Sequence, residues 1–186
     1  MPKIYLALIH YPVINKSGDI IASAVTNLDL HDISRAAKTY GVKAFYVVTP
    51  LADQIAIAKR IIDHWTSGAG SRYNPTRRSA LELILIKESL AEVSNHIRSI
   101  ENTCPKTVVT CAKKYPSRIS SEKLRGRLDD GKPHLLVFGT GWGLTEETIT
   151  EADYILEPVA GNTNYNHLSV RSAAAIILDR LLGPRN

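Results

Sequence analysis

Three glycines at alternate positions, Gly139, Gly141 and Gly143, punctuate the segment HLLVFGTGWGL over residues 134–144. The apolar run His134 to Phe138 reads as a buried strand, and Thr145 to Glu151 as a short helix. Glycines between a strand and a helix permit positive φ and let a ligand approach the backbone closely. Parallel sheets bind ligands beyond the carboxyl ends of their strands. Position and composition therefore agree on a ligand loop; a tight strand–helix turn without a ligand is the bland reading of the same residues. Two phosphate-loop readings fail. Leu144 stands where the third glycine of a dinucleotide fingerprint belongs, and too little chain follows residue 139 to complete such a domain. Gly131-Lys132 runs into Pro133 and belongs to a turn, not to a nucleotide-triphosphate loop.

Acid–base candidates cluster near residue 30. Asp29, His31 and Asp32 lie within one helical turn, with Asn27 just before them. They suit a base presented to a substrate, or plain helix capping. Arg72, Arg77 and Arg78 flank Tyr73 and Asn74, a mixture that clamps phosphates and stacks on bases, or that simply decorates a helix start. Lys113, Lys114, Arg118, Lys123, Arg125 and Arg127 form a second basic stretch, a phosphate track or a solvated face. Trp142, Tyr165, Asn166 and His167 are candidates for contact with a ligand or a target base, each with a packing or capping alternative. Glu157 reads first as a loop-shaping residue.

The elements that must hold these residues alternate. Strands are expected at 3–9, 44–49, 106–111, 134–138 and 154–156, with a short extended piece within 19–25. Helices are expected from Asn27 to Tyr40, over 51–65, from Asn74-Pro75 to Ile100, within 116–130, over 145–151 and from Asn166 to Leu182. Residues 66–73 read as a flexible loop. Alternation of this kind implies an α/β fold, a mostly parallel sheet with helices on both faces, in one domain spanning 1–186.

The chain has 186 residues, 44% hydrophobic and 22% charged, with a formal net charge of +5 and a pI near 9.2. That size supports a core without staples, and the charge permits a nucleic-acid partner without demanding one. No segment reaches the roughly 18 apolar residues of a membrane span, and the opening MPKIYLALI reads as a first strand rather than a leader. Cys104 and Cys111 have no metal spacing, so no metal is expected, and two reduced thiols fit a cytoplasmic protein.

In combination, LLVFGTGWGL, YILEPVAG and NHLSVRSAAAIIL resemble the SPOUT superfamily of RNA methyltransferases. TNLDLHDISRAAKTYG and GAGSRYNPTRRSAL resemble its small stand-alone members, so the likeness covers most of the chain. The resemblance implies a deep trefoil knot near the C-terminus, S-adenosylmethionine (SAM) as cofactor, RNA (tRNA or rRNA) as substrate, and a homodimer built on the last helix. Carried over by position, it implies a SAM pocket from Gly139, Thr140, Gly141 and Gly143, from Leu156, Pro158, Val159 and Gly161, and from Leu168, Ser169 and Val170. Thr110 and Cys111 line its methionine side. Asp29, Asn27 and His31 are the catalytic candidates, and Arg72, Tyr73, Arg77 and Arg78 the RNA-binding ones. Two other readings stand beside this one: an RNA-binding accessory module with a vestigial pocket, and a methyltransferase of protein or small molecules.

Overall fold

The computed structural model describes residues 2–185. In chain order the elements are β1 (Lys3–Ile9), the hairpin strands β2 (Val13–Ile14) and β3 (Ile20–Ile21), α1 (Asn27–Thr39), β4 (Phe45–Val48), α2 (Ala52–Thr66), α3 (Ala69–Tyr73), α4 (Pro75–Leu81), β5 (Ile84–Lys87), α5 (Leu90–Glu101), β6 (Lys106–Thr110), β7 (Arg118–Ile119), α6 (Ser121–Arg125), β8 (Pro133–Gly139), α7 (Glu146–Thr150), β9 (Tyr154–Leu156) and α8 (Val170–Leu182).

Seven strands form one sheet in the order β5-β4-β1-β8-β6-β9-β7, and every pairing in it is parallel. β1 and β8 pair along their full length, from Lys3 opposite Pro133 to Ile9 opposite Gly139. Both read as near-continuous apolar runs because both faces of a parallel sheet are covered. On one face Leu6, Leu8, Phe45, Val47 and Phe138 meet Leu30 and Ile33 of α1, Leu81 of α4 and Leu178 of α8. On the other, Tyr5, Tyr46, Leu135 and Val137 meet Val93 and Ile97 of α5 and Ile149 of α7. The expected α/β sheet with helices on both faces is thus present.

The expected helix from Asn74 to Ile100 is instead α4, β5 and α5. Residues 81–86 are apolar at nearly every position, so their pattern suits a buried helix and a strand alike. The sheet decides: Ile84–Lys87 pairs with Phe45–Val48 of β4. The restart is local chemistry, since Ser89 accepts from the Glu92 N–H and caps α5. The loop expected at 66–73 holds α3, and the segment 116–130 carries its expected short helix as α6, preceded by the unexpected strand β7. The last helix begins at Val170, capped by Ser169, not at Asn166. Among the described residues no helix is long and apolar enough to cross a membrane, and no cluster of potential metal ligands occurs.

Candidate functional site

Because the sheet is parallel, the carboxyl ends of β1, β8, β6 and β9 lie side by side, at Ile9, Gly139, Thr110 and Leu156. A cleft of about 690 Å³ opens there. That is the size of a cofactor site.

The glycine turn forms one wall. Gly141 and Gly143 have φ of +59° and +116°, a region that other residues occupy only under strain. The β2–β3 hairpin clamps the turn: the Ile14 N–H donates to Gly143 O (3.0 Å) and the Trp142 N–H to Ile14 O (2.9 Å). A methyl group built on Gly139 would lie 2.7 Å from the Leu144 nitrogen, and one on Gly141 3.0 Å from Ile14 O. Both glycines are therefore required by close backbone approach. Beneath them runs a chain of hydroxyls. The Thr140 hydroxyl donates to Ile9 O (2.8 Å) and pairs with the Ser23 hydroxyl, which meets His10 Nδ1 at 3.1 Å. His10 is fully buried, and burial holds its imidazole below the ordinary pKa of 6.5, hence neutral.

The other walls come from three segments. The Glu157 N–H donates to Ile119 O (2.9 Å) and its carboxylate accepts from the Ser121 N–H (3.0 Å), which fixes the entry to Pro158 and Val159. Ser169 caps α8 by accepting from the Ser172 N–H, placing Leu168, Ser169 and Val170 at the rim. The Thr110 hydroxyl donates to Val137 O (3.0 Å), and Thr110 to Lys113 form the floor. Burial pushes the Cys111 thiol up, so it is an apolar wall rather than a nucleophile.

Of the residues expected at a SAM pocket, Thr110, Cys111, Gly139, Thr140, Gly141, Gly143, Pro158, Val159, Leu168, Ser169 and Val170 line this one cleft. Leu156 does not; it is buried in the core behind it. Gly161 lies exposed outside the lining. The catalytic trio separates. Asp29 lines the cleft, but its oxygens accept from the Thr26 hydroxyl (2.6 Å) and from Arg171 Nη1 (3.3 Å). Asn27 is exposed and outside the lining. His31 turns away, edge-on to Trp65 with ring centroids 5.3 Å apart. A helix turn of three residues spreads side chains around the axis, so neighbours in sequence need not share a face.

The four RNA candidates sit on α3 and α4, outside the cleft lining. Arg77 lies over the Trp65 ring at 4.5 Å and Arg78 pairs with Glu82 at 2.8 Å. Tyr73 and Arg72 are exposed. Sequence reasoning missed Ser23 and Ala24, which follow the hairpin, the N-cap Thr26 and Arg171. Two-residue strands leave no periodicity to read, but the Thr26-to-Asp29 capping pattern was visible. Arg171 sits in the first turn of α8, against the helix dipole, and finds its anions in Asp29 and Asp32 of α1 (3.3 and 3.4 Å).

Comparison with known proteins bears on what occupies the cleft. The family profile of SAM-dependent RNA methyltransferases matches residues 3–183. The chain belongs to that family. The cofactor of that family is SAM. An uncharacterized protein of Aquifex aeolicus is 40% identical over 96% of this chain and 88% of its own length. A tRNA (guanine-N(1)-)-methyltransferase of Nitratidesulfovibrio vulgaris is 45% identical over 97% of this chain, which spans only 42% of that protein. The SpoU methyltransferase AviRb of Streptomyces viridochromogenes, solved with AdoMet, shares the fold with a TM-score of 0.57 at 18% identity, over 97% of this chain and 57% of that one.

Proposed function

We propose that the cleft at the ends of β1, β8, β6 and β9 is the SAM site and that the methyl group goes to tRNA. The carrying observation is the convergence on one cleft of three sequence segments, the glycine turn, the Glu157–Val159 entry and the start of α8. The residues fit the group: a cradle kept free of side chains at Gly139, Gly141 and Gly143, apolar walls from Val159, Leu168 and Val170, and few polar points suit an adenosine held by backbone edges. When bound, SAM supplies a methyl already activated on a sulfonium, so the chain's main task is positioning. Thr140 is held by Ile9 O and Ser23, and the hairpin fixes the turn. Asp29, with its oxygens engaged, serves by tying Arg171 of α8 to α1 rather than as a free base.

The tRNA assignment is supported by the Nitratidesulfovibrio relative. Its guanine-N1 activity belongs to a protein more than twice as long as the matched part, so the modified atom is read from the experiment. Arg72, Tyr73, Arg77 and Arg78 on α3 and α4 are proposed to hold the RNA backbone. The SPOUT resemblance further supports a trefoil-knotted C-terminus, a homodimer built on α8 and one domain over 1–186, of which Met1 and Asn186 lie outside the described residues. With β9 beside β6 rather than beside β8, and α8 reaching back to α1 and α6, the topology accords with a knot. Free thiols at Cys104 and Cys111 accord with a cytoplasmic setting.

Calorimetric titration with SAM and S-adenosylhomocysteine, followed by transfer of labelled methyl to bulk tRNA and nucleoside mapping, tests this. Micromolar cofactor binding with label on one nucleoside is the expected result. Absent binding overturns the site; binding without transfer to tRNA overturns the substrate.

A further inference from the structure

Three rings gather at the mouth of the cleft, on two segments far apart in sequence. Trp142 and His167 have centroids 6.1 Å apart, and Tyr165 meets His167 edge-on at 6.3 Å. Trp142 is 55% exposed and Tyr165 73%. A large apolar surface left open to water forgoes the stabilisation of burial, so its retention beside a site needs a ligand to explain it. The backbone presents Trp142 firmly: it lies between two glycines of positive φ, and its N–H is tied to Ile14 O at 2.9 Å. On the opposite segment the Asn166 side chain donates to Ala112 O at 3.1 Å, fastening the loop that carries Tyr165 and His167 across the floor of the cleft. Lys113, on that floor, adds an exposed cation.

We propose that Trp142, His167 and Tyr165 form the platform on which the target base of the RNA stacks, unstacked from its neighbours, with Lys113 meeting the adjacent phosphate. The inference rests on the RNA-methylation reading above. The chemistry fits that occupant: single-stranded bases are recognised by stacking on aromatic faces, with a cation on the backbone. The platform continues directly into the cleft, as it must if the base is to reach the methyl donor. An interface between copies of the chain is the competing use of exposed rings, and it makes a different prediction.

The test uses full-length Trp142→Ala and Trp142→Phe proteins. It reads S-adenosylhomocysteine affinity by calorimetry, kcat/KM for methyl transfer to bulk tRNA, and sedimentation. In a Trp65→Phe background, Trp142 is the one remaining tryptophan of two, and its emission reports stacking. The expected result is a kcat/KM loss on the order of tenfold or more for Trp142→Ala, recovery in Trp142→Phe, a change in S-adenosylhomocysteine affinity much smaller than the kcat/KM loss, and quenching of Trp142 emission by tRNA. Wild-type kcat/KM in Trp142→Ala overturns the proposal. So does a parallel loss of cofactor affinity, which assigns the ring to the SAM pocket, or conversion of a dimer to a monomer, which assigns it to an interface. Wild-type protein that binds S-adenosylhomocysteine yet methylates no RNA removes the underlying reading, whereas failure confined to the variants leaves that reading standing.

Discussion

Single residues carry the sharpest commitments. Gly141 combines φ of +59° with Ile14 O 3.0 Å from where a Cβ would stand. A β-branched residue there costs about 1–3 kcal/mol in backbone strain and pushes the hairpin off the turn. Gly141→Val is therefore expected to keep its far-ultraviolet circular dichroism and lose calorimetric SAM binding; retained micromolar binding would remove the turn from the site. Two buried histidines are expected to make the fold sensitive to acid. His10 and His134 are both fully buried, with their Nε2 atoms unpartnered, and burial holds each below its ordinary pKa of 6.5. The unfolded chain binds their protons more readily than the native state. Stability is full above pH 6.5 and declines as pH falls from there through the folded values. Thermal midpoints are expected to drop between neutral pH and pH about 5, and a His10→Gln, His134→Gln double variant to show a flatter decline. An equally steep decline would place the acid sensitivity elsewhere.

At the scale of elements, the join between α1 and α8 depends on Arg171, which bridges Asp29 and Asp32. The Asp29 side chain is 8% exposed and that of Arg171 31%, so the pair is only partly shielded from water. Arg171→Ala leaves a buried carboxylate without its cation, a loss of about 1–3 kcal/mol. Adding Asp29→Asn should recover part of it, and a double-mutant cycle by urea unfolding measures the coupling; strict additivity would deny it. Ser89 makes a purely local prediction. As N-cap of α5, its replacement by Ala should lower stability by about 1 kcal/mol with no change in the urea m-value. Should m change as well, the cap would be holding more than one helix end.

The whole molecule is basic, with a formal charge of +5. Its tRNA affinity should fall with salt, since phosphate contacts release counterions. Arg72 makes no ion pair among the described residues, whereas Arg78 is held by Glu82. Arg72→Ala is expected to reduce the slope of log affinity against log salt by about 1, and Arg78→Ala by less. Equal slopes in wild type and Arg72→Ala would take α3 off the RNA path.

The sequence by itself determined the α/β alternation, because short apolar runs such as LLVF and FYVV, bounded by turn residues, read as strands covered on both sides, and because the cap at Thr145 is local chemistry. It also held the glycine turn in part, since Gly139 answers to the nearby Leu144 backbone and Gly143 to its own positive φ, whereas Gly141 also answers to Ile14 O of the distant hairpin. Tertiary structure alone decided the rest. The apolar stretch at 81–86 became β5 only because the edge of β4 offered backbone partners. His31 was carried to Trp65 and Asp29 to Arg171, although they are neighbours in sequence, because helix α1 faces the α2 side with one flank and α8 with the other. Trp142 and His167 met at one mouth because parallel strands deliver their loops to the same end of the sheet, and no spacing along the chain records that meeting.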